Sequence, residues 1–153
     1  MQIVLFLHNL LRWGVLIFGL WSIINAVSGL SNKRLYSQSD NRSNLFFMIC
    51  CDVQLLIGLL LFFGNDWFGH LKSGMGDVMK NPVQRFFTVE HAAVMLVAWI
   101  LVHAGRVAVK KASSDNAKHK KALIFFGIAL LLILVSIPWP FRAEIARPLY
   151  RGI

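Results

Sequence analysis

The amino-acid sequence predicts an all-α fold: a four-helix up-down-up-down bundle, a single transmembrane domain over residues 1–153, with both termini on the non-cytoplasmic side (N-out/C-out). Three observations predict it. Four apolar runs, at about 3–30, 45–63, 86–109 and 122–139, each reach or nearly reach the ~20 residues that cross a hydrocarbon core about 30 Å thick. Only 15% of the 153 residues are charged and 57% are hydrophobic, with a mean hydropathy of +0.61. A soluble domain carries roughly 25% charged residues, and a chain this short has no core large enough to hide four such runs. Finally, the basic residues gather between the runs rather than along them.

The first run starts at Ile3 and is interrupted by Arg12. No basic segment precedes it, so it reads as a retained span rather than a cleaved signal, although Ala26-Val27-Ser28 weakly resembles a cleavage site. The second run contains Asp52 and Gln54, and the adjacent Cys50 and Cys51. Adjacent cysteines make a poor disulfide and read as small buried hydrophobes, with palmitoylation as the alternative if they reach the interface. The third run carries His91 and His103; the fourth has no ionisable residue and reads as a wall. Pro138 and Pro140 end it, because proline cannot continue the backbone ladder. The segment 64–85, with Trp67 and Phe68 among glycines, is expected on the membrane surface with its aromatics at headgroup level. No run shows the period-two alternation of a membrane strand.

The net charge of +9 would suggest nucleic acid in a soluble protein. Its distribution argues otherwise. Lys33, Arg34 and Arg42 lie in the first connection, and Arg106, Lys110, Lys111, Lys118, Lys120 and Lys121 lie at the third. Lys72, Lys80, Arg85, Arg142, Arg147 and Arg151 are fewer and more dispersed. Positive-inside counting therefore places the first and third connections in the cytoplasm, and no nucleic-acid partner is expected. The partner is the lipid bilayer.

Ionisable groups inside a span are costly and normally face protein or a wet cavity. On the first helix His8, Arg12, Val15, Gly19, Ser22 and Ala26 share one stripe at helical spacing. Leu10, Trp13, Ile17, Leu20 and Ile24 form the opposite one. The small and polar stripe is expected to face protein, the other lipid. On the third helix His91, Met95, Ala98, Val102 and Gly105 share a face. His8 and His91 lie at matched depth if the two helices run the same way, and two inward imidazoles are a known way to hold one b-type haem in a bundle. Arg12 or Arg85 would then offset the propionates. A polar network of both histidines with Arg12 and Glu90 is an equally open reading, and a metal or quinone site is a third. Deeper, Asp52 and His103 are placed to meet across neighbouring helices, as a helix-linking pair or as a proton-relay or quinone-side pair. Gln54 points nearly opposite Asp52. His70 and His119 fall in connections and are expected to be solvated.

Several of these segments resemble a known group. Leu7-His8-Asn9-Leu10-Leu11-Arg12-Trp13, Val89-Glu90-His91, Gly105-Arg106, Lys118-His119-Lys120-Lys121 and Ile137-Pro138-Trp139-Pro140-Phe141-Arg142 together are similar to small four-helix membrane proteins of Bacteroidota. Members of that group are labelled cytochrome B-like or left uncharacterised. The resemblance covers nearly the whole chain and implies a multi-pass protein of the bacterial cytoplasmic (inner) membrane, with haem b and electron transfer to a respiratory partner. The chain departs from two-haem membrane cytochromes, since His103 has no histidine partner on the second or fourth helix. The alternative is a non-catalytic accessory or assembly subunit of a larger membrane complex, without cofactor. No nucleophile triad, H-E-x-x-H, phosphate loop or dinucleotide fingerprint is present, so the sequence offers nothing for a self-contained enzyme. Nor does it show the broken helices or inverted repeats of a secondary transporter.

Overall fold

The computed structural model describes residues 1–150, with the backbone alone at Ser73; Arg151, counted above with the tail charges, lies outside the described residues. Helix α1 spans Gln2–Ser31, α2 Gln38–Gly64, α3 Trp67–Ser73, α4 Met75–Lys80, α5 Pro82–Lys110 and α6 Asp115–Ser136. Among the described residues there is no strand. Helices α1, α2, α5 and α6 are long and apolar enough to cross a membrane.

Two of these helices begin well before their apolar runs. α2 starts at Gln38 rather than near Leu45, because Ser37 and Asp40 form a reciprocal capping box that satisfies the first free N–H groups. α6 starts at Asp115 rather than Ala122, with Ser114 Oγ accepting from Ala117 N at 3.2 Å. The reason is general: hydropathy marks the slab of lipid, whereas caps mark where the helix begins. α5 likewise starts at Pro82, where Asn81 caps Val83 and Gln84 and proline occupies the first turn. Only the fourth run is shortened, with α6 ending at Ser136 ahead of Pro138.

The inward and outward faces follow the sequence pattern. Arg12, Val15, Gly19, Ser22, Ala26 and Gly29 of α1 are buried, while Leu10, Trp13, Ile17, Leu20 and Ile24 are exposed. α5 buries Ala98, Val102, Gly105, Arg106 and Val109. Large apolar residues outside and small or polar ones inside is the arrangement expected where lipid is the solvent. α1 and α5 each pack against α2 and α6, so they lie across the bundle from one another. The α1–α2 seam pairs Gln54 with the His8 carbonyl (2.9 Å), Ser22 with Asn44 (2.5 Å) and Asn25 with Ser43 (3.1 Å). At the centre, Phe47 of α2 meets Phe126 of α6 edge to face at 5.9 Å, both with no exposed surface.

Close approach of α5 and α6 depends on Gly105. A Cβ there would lie 2.5 Å from Phe125 Cβ, an atom fixed to its backbone. Gly105→Ala should therefore cost about 1–3 kcal/mol, seen as a lower melting temperature in detergent. Gly14→Ala, whose nearest neighbour would be Cys50 Sγ at 3.6 Å, should melt close to the wild type.

Candidate functional site

At the end of the bundle opposite the lysine-rich connections, the structure brings His8 of α1 and His91 of α5 together. Their ring centroids are 6.4 Å apart with planes at 69°. His91 is aimed by a wide turn: Phe86–Glu90 is a π-helix, and the His91 N–H reaches the Phe86 carbonyl five residues back. Such bulges insert one residue, turn the following side chain to a new bearing, and recur at functional sites. His91 Nδ1 donates to the Ser136 carbonyl of α6 at 2.9 Å. That bond fixes the tautomer and leaves Nε2 with its lone pair, the state in which a histidine ligates a metal. His8 packs against Gly58, and its Nδ1 is buried without a hydrogen-bond partner.

The polar residues expected around this pair are divided. Arg12 donates to the Leu149 carbonyl at 2.6 Å and to Asn9 Oδ1 at 3.3 Å, so it holds the C-terminal tail; its Nε is buried and unpartnered. Glu90 pairs instead with Arg85, at 2.8 Å on an exposed surface. The network of both histidines with Arg12 and Glu90 is thus not assembled. The tail is further held by Arg147 over the Phe87 ring and Arg142 over the Phe86 ring, at 4.7 and 5.0 Å.

Near the midpoint of α2, Asp52 Oδ1 accepts from His103 Nε2 at 2.7 Å and from Trp99 Nε1 at 2.6 Å, both on α5. The sequence expected the first contact; Trp99 is an addition, at four-residue spacing from His103. Gln54, whose bearing conflicted with that of Asp52, is explained. It turns to α1 and bonds the His8 backbone, while Asp52 turns to α5.

The lysine-rich end holds a buried polar cluster that the sequence reading missed. Asp40 is 2% exposed and binds Arg34 through both carboxylate oxygens, each at 2.6 Å. This pairing raises the Arg34 guanidinium above its ordinary range. His119, expected in solvent, has no exposed surface and sits against Gly29. Its Nε2 donates to the Arg34 carbonyl at 3.2 Å, and its unpartnered Nδ1 lies 4.0 Å from Asp40 Oδ1. Tyr36 accepts from Asn44 at 2.8 Å, and burial raises its phenol above the usual value, keeping it neutral. The fourth helix is therefore not a plain wall. His119 extends its buried stripe, Ala122, Phe126, Ala129, Ile133 and Ser136, one turn backwards. Together with the Ser37-x-x-Asp40 capping pattern, that stripe was the available signal.

Among the described residues no group of three or more His, Cys, Asp or Glu converges to hold a metal ion. Cys51 is buried and Cys50 half-buried, both as free thiols. No family model, no curated protein and no solved structure matches the chain.

The Arg34–Asp40 pair makes a sharp test of the lysine-rich end. Arg34→Ala leaves a buried carboxylate without its counter-charge and should cost about 3–5 kcal/mol in unfolding experiments. Asp40→Asn, which removes that charge while keeping an acceptor for Ser37, should cost less.

Proposed function

We propose that this chain is a small cytochrome-b-like protein of the bacterial cytoplasmic membrane, carrying one haem b between His8 and His91 and passing single electrons. The observation that carries the reading is the histidine pair itself. Two half-buried imidazoles come from helices on opposite sides of the bundle and meet with their ring centroids 6.4 Å apart. One is oriented by a carbonyl as a ligand would be, and the other has a buried ring nitrogen with no partner in the protein. Buried polar atoms are nearly always satisfied, so an orphan at a convergent site supports a missing ligand.

The residues fit such a group in defined roles. His8 and His91 would supply the nitrogens that hold the iron, and the Ser136 carbonyl would hold the His91 ring in place. Arg12 keeps one unpartnered Nε–H beside the pair, a donor for a propionate. Phe86 and Phe87 pack on His91 at 5.7 and 6.3 Å, and the arginine-held tail closes over the same end, limiting access of water. The bound group would supply an iron that gains and loses one electron.

In the same reading the bundle runs up-down-up-down with both termini outside. Residue numbers rise along α1 as they fall along α2 in the seam pairs 8–54, 22–44 and 25–43, which supports opposite directions. The lysine and arginine excess at the α1–α2 and α5–α6 connections supports their cytoplasmic placement. The histidine pair then lies near the outer face.

Protein purified from haem-sufficient cells should show a Soret band that shifts on dithionite reduction, absent from His8→Ala and from His91→Ala. Folded but colourless wild-type protein would overturn the haem assignment and favour the accessory-subunit alternative. For topology, a reporter fused after Ile153 should be active in the periplasm; activity confined to the cytoplasm would refute N-out/C-out.

A further inference from the structure

We infer that Asp52, His103 and Trp99 form a binding site, opening sideways to lipid, for the hydroxyl-bearing ring of a hydroquinone dissolved in the bilayer. The site is separate from the histidine pair, and neither its geometry nor its test depends on haem.

Three observations carry the inference. First, the cluster is open. The side chains of Asp52 and His103 are 36% and 37% exposed although they bond each other. Second, the opening faces hydrocarbon. Ile49, Val53 and Leu56 surround Asp52 on α2, and Leu96, Ile100 and Val107 surround His103 and Trp99 on α5, all exposed. At helical spacing, Ile49, Asp52 and Leu56 share one face, as do Ile100, His103 and Val107. An open carboxylate and imidazole in that setting have no water to solvate them. Third, bonding capacity is left over. Trp99 and His103 both use Oδ1 of Asp52, which leaves Oδ2 as an acceptor and His103 Nδ1 as a second polar atom of the cluster.

The donor and acceptor inventory selects the ligand. With the carboxylate charged and the imidazole neutral, both remaining atoms accept. With the proton shared to neutralise the pair, Oδ2 still accepts while Nδ1 donates. A hydroxyl suits either arrangement, because it donates and accepts. A quinone carbonyl only accepts and cannot satisfy Oδ2. The Trp99 indole and His103 imidazole, with centroids 4.4 Å apart, add an aromatic surface for a flat ring. Asp52 lies near the midpoint of α2, beyond the polar end at Asn44 by about 12 Å of helix rise. That depth favours a ring that dissolves in the membrane interior over a headgroup fixed at its surface.

The test is calorimetric titration of the full chain in lipid nanodiscs, without oxygen, with a short-chain hydroquinone, its quinone and its dimethyl ether. The hydroquinone should bind saturably. The quinone and the ether, lacking a donor for Oδ2, should bind at least about tenfold more weakly, the loss of one charge-assisted hydrogen bond. Asp52→Asn replaces the Oδ2 acceptor with an N–H donor, from which a quinone carbonyl can accept as well as a hydroxyl, and should narrow the hydroquinone–quinone difference. Non-saturable uptake by the wild type, equal affinity for hydroquinone and ether, or an unchanged preference in Asp52→Asn would each overturn the site. If Asp52→Asn fails to fold, the hydroquinone–ether comparison on the wild type decides alone.

Discussion

In hydrocarbon a polar group has no water to fall back on, and this constraint organises the whole bundle. Each span carries side chains that would be unremarkable in a soluble protein and are costly here. The fold meets the cost by turning them toward neighbouring helices. Gln54 reaches the α1 backbone, Ser22 reaches Asn44, His91 reaches the Ser136 carbonyl, and Asp52 gathers Trp99 and His103. Such bonds add modest stability individually, about 0.6–2 kcal/mol. Their larger effect is to set which faces meet, because apolar surfaces alone do not distinguish a helix from lipid.

Against that background, incomplete satisfaction is informative. His8 Nδ1, Arg12 Nε and His119 Nδ1 are buried and unpartnered, and Asp52 keeps an oxygen free beside lipid. These atoms are not scattered. His8 and Arg12 share the end covered by the C-terminal tail, His119 sits within the charged cluster at the other end, and Asp52 lies between. The bundle thus separates three polar regions along its length, linked by the apolar layer of Phe47, Phe126, Val102 and Ala129. An electron carrier near one face and a hydroquinone site deeper in the membrane would be compatible occupants of one small scaffold.

The charged end shows how stability and topology are joined. Arg34, Asp40, Tyr36, Asn44 and His119 tie the α1–α2 connection to the first turns of α2 and α6. Basic residues around this cluster mark the face expected in the cytoplasm, while the buried Asp40 consumes one of them internally. Counting charges alone treats Arg34 as a free topological signal; its guanidinium is in fact half-buried and committed.

Much of the architecture was legible in the sequence, because hydropathy and helical periodicity report directly on burial in lipid. The four spans, the inward stripe from Arg12 to Ala26 and the meeting of Asp52 with His103 all follow from spacing. The early starts of α2 and α6 were encoded too, in Ser37-x-x-Asp40 and in the stripe running back to His119, but the polar character of those turns concealed them. Other features belong to tertiary structure. The wide turn that aims His91, the carbonyl that fixes its tautomer, the diversion of Arg12 to the tail and the choice of Trp99 as third partner depend on distances between helices. Periodicity gives a side chain its bearing around one axis; only the packing of several axes determines what stands opposite it.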